Sequence, residues 1–185
     1  MNAPAAPLIV RDAAEQDVPR IAAIYATHVL TGLATFEVVP PDAAEMARRR
    51  ANVLAWELPY FVAEDQSGIL GYAYAAPYRT RAGYRYTVED SIYVDPAAVG
   101  RGVGRRLLER LIEACAACGC RQMVAVIGDT GNVASIGVHE ACGFTRVGVL
   151  PSVGFKFGRW VDSVLMQRGL ADGDRSPPGA GGARF

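Results

Sequence analysis

The sequence predicts an α+β fold, layered α/β in character: one mixed, mostly antiparallel central sheet flanked by helices. Three observations predict it. Two helical patterns come first, before any strong strand pattern. Two short apolar runs then flank the turn residues Gln66-Ser67-Gly68, the signature of a hairpin. Strand and helix patterns alternate from there to about residue 167, which calls for at least one parallel pairing. The chain has 185 residues, the length of one domain.

Taken in order, Asp12-Ala-Ala-Glu15 has the form of a capping box ahead of Ile21, Ile24, Tyr25 and Val29, so a helix is expected over about 13–31. A second helix is expected within 42–56, after Pro40-Pro41 and with Asp42 as its cap. Strands are expected at 60–64, 69–76 and 87–94. Gly104 to Ala117 places Leu107, Leu108, Leu111 and Ile112 on one face of a helix. A strand at 122–127, a short helix at 132–141 and strands at 144–150 and 161–167 complete the domain, 8–170. Residues 1–7 are expected to be flexible. The Gly/Pro-rich stretch 171–185 is expected to be disordered.

Composition narrows the function classes. Nineteen basic residues balance nineteen acidic ones, so no electrostatic footprint for nucleic acid is expected. No apolar run reaches the roughly 20 residues of a membrane span. MNAPAAPLIV lacks the pattern of a secretion signal, which makes a cytoplasmic protein the default. Of four cysteines, three cluster as CAACGC at residues 115–120. That spacing admits a zinc or redox reading. No His lies close by, and buried cytoplasmic cysteines behave as small hydrophobes, so no metal site is assigned.

Gly100-Arg101-Gly102-Val103-Gly104 lies between a predicted strand and a predicted helix. A helix start leaves four backbone N–H groups unpaired, glycines admit close approach, and the dipole favours an anion. Arg101, Arg105 and Arg106 add positive charge. In outline this is a phosphate cradle; a plain glycine turn before a helix is the competing reading. It is neither a Walker loop nor a G-x-G-x-x-G fingerprint.

"VDP", then R-G-x-G, then a helix resembles motif A of the GNAT acetyltransferases. In that superfamily the turn's amides bind the pyrophosphate of acetyl-coenzyme A. The resemblance implies a GNAT fold, acetyl-CoA as cosubstrate, and contacts from Ile92, Tyr93, Val94, Gly100, Arg101, Gly102, Val103, Gly104 and Arg105. Val99 departs from the usual Gln or Arg three residues before Gly102. Asn132-Val-Ala-Ser-Ile-Gly-Val-His-Glu-Ala-Cys-Gly-Phe144 resembles motif B of the same superfamily. Asn132, Ser135 and His139 share one helix face at i, i+3 and i+7. By the resemblance Asn132 and Ser135 contact the cofactor, and His139 stands near the thioester sulfur, where an imidazole can protonate a leaving thiolate. The competing reading makes Asn132 a helix cap and His139 a satisfied histidine.

"YTVEDSIYV", "MVAVIGDTGNVASIGVHEACGF" and "GFKFGRW" are similar to the phosphinothricin and methionine sulfoximine N-acetyltransferases, a likeness running from about residue 8 to 169. It implies N-acetylation of a small amino acid or analogue by direct attack in a ternary complex. An ammonium cannot attack a thioester, so a proton acceptor is needed, and Glu89 matches the family's base. A bulge near Ile92 to Val94 would free amides for the acetyl carbonyl. Arg79 and Arg81 match the basic residues that hold the acceptor's acid groups. Thr80, Tyr84, Phe36-Glu37 and Lys156 are expected to line the same pocket, and a homodimer is implied by analogy. The alternatives are another small amine as acceptor, a non-catalytic CoA-binding module, or a metal-binding redox module built on the cysteines.

Overall fold

The computed structural model describes residues 7–179. Most of the segment expected to be flexible, residues 1–6, lies outside the described residues, as do 180–185 of the expected disordered tail. The elements run β1 (Ile9–Asp12), α1 (Val18–Thr31), α2 (Ala43–Ala55), β2 (Tyr60–Asp65), β3 (Gly68–Pro77), β4 (Thr87–Val94), α3 (Val103–Ala117), β5 (Gln122–Gly128), α4 (Val133–Ala141), β6 (Thr145–Lys156) and β7 (Arg159–Gly169). The seven strands form one sheet in the order β1-β2-β3-β4-β5-β7-β6. Only β4 and β5 pair in parallel, so the sheet is mixed and mostly antiparallel, as the alternation of patterns predicts.

The helices lie where the apolar periodicity places them. α3 buries Leu107, Leu108, Leu111 and Ile112 against the sheet, each worth about 1.5–3 kcal/mol of transfer free energy. α1 buries Ile21, Ile24, Tyr25 and Val29 on the other face. Alternation along β3 fixes the faces. A Cβ on Gly71 would meet Val103 and Leu107 of α3, whereas Tyr72 stacks with Tyr60 and Tyr93, and Tyr93 packs on Tyr25 of α1.

Three local expectations are corrected. Asp12 ends a four-residue edge strand paired to β2, a strand too short to stand out in the sequence, and so it caps nothing. A 3₁₀ turn at Glu15–Asp17 precedes α1; the Asp17 carboxylate accepts from Ala14 N–H at 2.7 Å and from Arg11 at 2.6 and 3.0 Å. The closing hairpin is longer than predicted. β6 absorbs two register irregularities, around Gly148 and between Leu150 and Gly154, and these make Pro151 and its neighbours look like a turn. Asp42 does cap α2, accepting from Glu45 N–H at 2.7 Å.

Composition alone marks 171–179 as disordered, yet Arg121 ties that stretch down. Its guanidinium donates to the Gly173 carbonyl at 2.8 Å and to the Ser176 carbonyl at 3.0 Å.

Candidate active site

The site begins with a divergence of two strands. β4 pairs with β3 from Val88 to Val94, but with β5 only over Thr87–Asp90. Asp95 N–H donates to Leu70 O at 2.8 Å, which sets the parity of the ladder. Odd residues of β4 bond β3, and even residues turn their peptide groups toward β5. Past Asp90 there is no β5 partner, so the peptide groups of Ile92 and Val94 face an opening. No register shift interrupts β3 and β4, so the expected bulge is absent; the splay leaves the same amides unpaired. The Val94 carbonyl is met at 2.8 Å by Nε2 of His28, which therefore carries the proton.

A cavity of about 200 Å³ occupies the opening. Glu89, Ile92 and Tyr93 of β4, Asn132 of the turn before α4, Ser135 and His139 of α4, and Phe36 of the α1–α2 linker all line it. Seven residues singled out from the sequence thus converge, together with Asp90, Ser91, Ala34 and β5 from Ala125 to Gly128.

Glu89 and Asp90 are sequence neighbours on opposite faces of β4. Glu89 shares its face with Tyr93 and looks toward α1 and the linker. Its pKa is raised, first by burial and then by the charge of Asp90, while Arg79 opposes the shift. A carboxylate so placed accepts a proton more readily than an ordinary Glu.

Asp90 points to the other face and meets His139. His139 Nε2 lies 3.0 Å from Asp90 Oδ2, and its Nδ1 donates to the Ser135 carbonyl at 2.7 Å. Both groups are buried, His139 at 4% exposure and Asp90 at 7%. Burial pulls the His139 pKa down, but the Asp90 carboxylate outweighs it and the net shift is upward. With both ring nitrogens engaged, His139 has none free to protonate a sulfur. The expectation that it acts as leaving-group acid is corrected on that ground. Asp90 is the residue that the sequence reading passed over. The signal was present: strand alternation separates an acidic pair, and one of the two had to face the helix that carries His139.

The glycine turn lies at the far end of β4. Gly100 and Gly102 have φ of +82° and +78°, a left-handed backbone that favours glycine, and a Cβ on either would meet nothing within 4 Å. Gly102 is the N-cap of α3 and supplies no side chain, so the first amides, from Val103 to Arg105, have no capping partner among the described residues. α2 and α4 differ, since Asp42 and Asn132 cap them with side-chain oxygens. Asn132 therefore has its carboxamide oxygen committed to Ser135 N–H at 3.2 Å. Arg101 is paired to Asp65 and Arg105 to Glu109; Arg106 forms no ion pair among the described residues.

The remaining predicted residues fall outside the cavity wall. Arg79, Thr80, Arg81 and Tyr84 lie in the exposed loop joining β3 to β4. Arg79 stacks 5.1 Å over Tyr78, which meets Tyr84 edge-on at 5.8 Å. The loop starts just beyond Pro77, whose neighbour Ala76 is paired with Glu89. Lys156 is corrected: it is buried beneath the linker, and its ammonium donates to the Gly32 and Thr35 carbonyls. Glu37 of the linker is bound by Arg49 and by the Tyr25 hydroxyl, the latter at 2.9 Å.

A splayed sheet with an uncapped helix start beyond one end of β4 and the half-buried carboxylate of Glu89 near the other suits an enzyme that holds an anionic cosubstrate and moves a proton. The acetyltransferase (GNAT) family model matches residues 24–144, and the chain belongs to that family. It is 57% identical over 169 residues to the phosphinothricin N-acetyltransferase of Alcaligenes faecalis, covering 91% of this chain and 86% of that one. It is 42% identical to the L-methionine sulfoximine/L-methionine sulfone acetyltransferase of Pseudomonas aeruginosa, covering 91% and 98%. Among solved structures, a phosphinothricin acetyltransferase from Sinorhizobium meliloti in complex with AcCoA superposes with a TM-score of 0.91 at 45% identity, over 95% of each chain.

Proposed function

We propose that this enzyme transfers the acetyl group of acetyl-CoA to the amino group of a small amino acid or analogue of the phosphinothricin, methionine sulfoximine or methionine sulfone type. The observation that carries the reading is Glu89, a carboxylate with a raised pKa, in the same cleft as the unpaired peptide edge of Ile92. The relatives named above support the choice of acceptor.

The residues present fit a ligand with a pyrophosphate and an amide-bearing arm. The uncapped amides from Val103 to Arg105 suit the pyrophosphate. The free edge of β4 suits the arm, since unpaired strand groups accept a parallel partner. When bound, acetyl-CoA supplies an activated acetyl group. Glu89 takes the proton that an amino-acid ammonium must lose before its nitrogen can attack, directly or through water. The Ile92 N–H faces the cleft and would meet negative charge developing on the carbonyl oxygen. The chain offers no free His139 nitrogen for the sulfur, and a thiol ionising near pH 8.5 leaves without full protonation. Arg79 and Arg81, in the exposed loop after β3, would hold the acceptor's acid group, with Thr80 and Tyr84 in the same loop; like-charge repulsion there disfavours polyamines.

The finer reading includes a cytoplasmic homodimer. Four unpaired cysteines suit a reducing compartment. Val153, Phe155, Phe157 and Trp160 expose apolar surface on the β6–β7 hairpin at the sheet edge, which suits a second copy.

The test is thiol release from acetyl-CoA with phosphinothricin, methionine sulfoximine and methionine sulfone. Acceptor-dependent release with at least one of them is expected. Background release with all three, and with the proteinogenic amino acids, overturns the proposal.

A further inference from the structure

The chain contains one lysine among its nineteen basic residues, and that lysine is buried. Lys156 ends β6 at 2% exposure, and its Nζ donates to Gly32 O at 2.8 Å and Thr35 O at 2.7 Å. It makes no ion pair within 4.0 Å among the described residues. Burying an ammonium against neutral carbonyls is costly, and an apolar side chain would fill the space at less expense. What an ammonium does that an apolar group cannot is fix two peptide planes at once.

Those planes bracket the segment that supplies Ala34 and Phe36 to the cleft. Bare backbone lies beneath the same segment. A Cβ on Gly128 would fall 2.1 Å from Leu33 O, and one on Gly154 would fall 2.1 Å from Cε1 of Phe36. At Gly128 no side chain fits while the linker backbone stays where it is, and at Gly154 none fits while the Phe36 ring stays where it is. Thr35 Oγ1 adds a further tie, 2.9 Å from the Tyr25 hydroxyl. The linker has no regular structure of its own, so its shape is imposed by the strands and helices packed against it.

We propose that Lys156 and Gly154 are positioning residues that fix Phe36 as one wall of the acceptor pocket and thereby set the size of acceptor admitted. This rests on the reading of the cleft as an acceptor site. Gly154 seats the edge of the Phe36 ring, and Lys156 holds the backbone on either side of Ala34.

The experiment measures KM for methionine sulfone and for acetyl-CoA separately in wild type, Gly154→Ala, Lys156→Met and the double variant Gly154→Ala/Phe36→Leu. In Gly154→Ala the added methyl displaces the ring, and acceptor KM is expected to rise about 10-fold or more. Acetyl-CoA KM is expected to stay within about twofold of wild type, since the glycine turn is untouched. The double variant removes the clash and should recover most of the acceptor KM, a rescue that general destabilisation would not give. Lys156→Met should raise acceptor KM in the same selective way. Should it fail to fold, the Gly154 pair decides alone. A wild type that releases no thiol with any acceptor overturns the functional reading and this inference together. An active wild type whose Gly154→Ala variant keeps its acceptor KM, or raises both KM values equally, overturns the inference only.

Discussion

His139 and Asp90 meet at 3.0 Å inside the protein, one from α4 and one from β4, and the ring's other nitrogen is held by its own helix. The pair is better placed to hold the cleft together than to exchange protons with substrate. Because the folded-state pKa of His139 is raised above 6.5, its contribution is fully present below the unfolded value and is lost as pH rises through the folded one. The wild type should therefore lose stability across that window. Asp90→Asn should abolish this slope and cost about 3–5 kcal/mol, as expected when one partner of a buried pair is removed. Urea unfolding from pH 6 to 9 measures both; an unchanged slope in the variant would rule the pair out as its source.

Glu89 makes a kinetic prediction of opposite sign. Its raised pKa means that the reactive carboxylate appears only above the ordinary Glu range, so the acid limb of kcat/KM should lie above 4.5. The charges that shift it can be changed one at a time. Arg79→Gln removes a lowering charge and should move the limb up; Asp90→Asn removes a raising one and should move it down. Glu89→Gln should reduce kcat at neutral pH by about 100-fold or more while acetyl-CoA binding, read by calorimetry, stays intact. Wild-type turnover in that variant would exclude the base role.

Gly102 offers a test at the other end of β4. An alanine there meets no steric neighbour, so the whole cost is the left-handed backbone, about 1–2 kcal/mol. Relaxing that strain would rotate the first amides of α3. Gly102→Ala should fold, lose little stability, and raise the KM for acetyl-CoA without changing the KM for the acceptor. An unchanged acetyl-CoA KM would mean that these amides do not hold the cofactor.

Much of this architecture is written locally in the sequence. β4 spans 87–94 both by pattern and in the structure, and α3 begins one residue earlier than the apolar periodicity places it. The glycine turn is legible for the same reason, since its chemistry lies within five consecutive residues. What escapes is set by distant partners. Lys156 finds its carbonyls 121 and 124 residues away, and no pattern along β6 announces them. His139 is visible as a cleft residue, but its role depends on Asp90, 49 residues upstream. β1 is hidden because an edge strand of four residues carries too few alternations to register as one.

The β6–β7 hairpin gives the last prediction. β6 is the outermost strand of the sheet, and its free edge is long. Trp160 is 65% exposed and meets Phe155 edge-on at 5.3 Å, with Val153 and Phe157 also exposed nearby. Native sheets blunt such edges with charge, bulges or cover, because an open apolar edge invites another strand or sheet. Here the aromatic residues remain, which suits a face covered by a second copy of the chain. Sedimentation of the wild type at micromolar concentration should give the mass of a dimer. Trp160→Glu places a charge in that contact and should shift the species toward monomer, with acceptor KM affected more than acetyl-CoA KM because the hairpin also carries Gly154 and Lys156. A wild type that sediments as a monomer, or a variant that stays dimeric, would move the interface elsewhere or remove it.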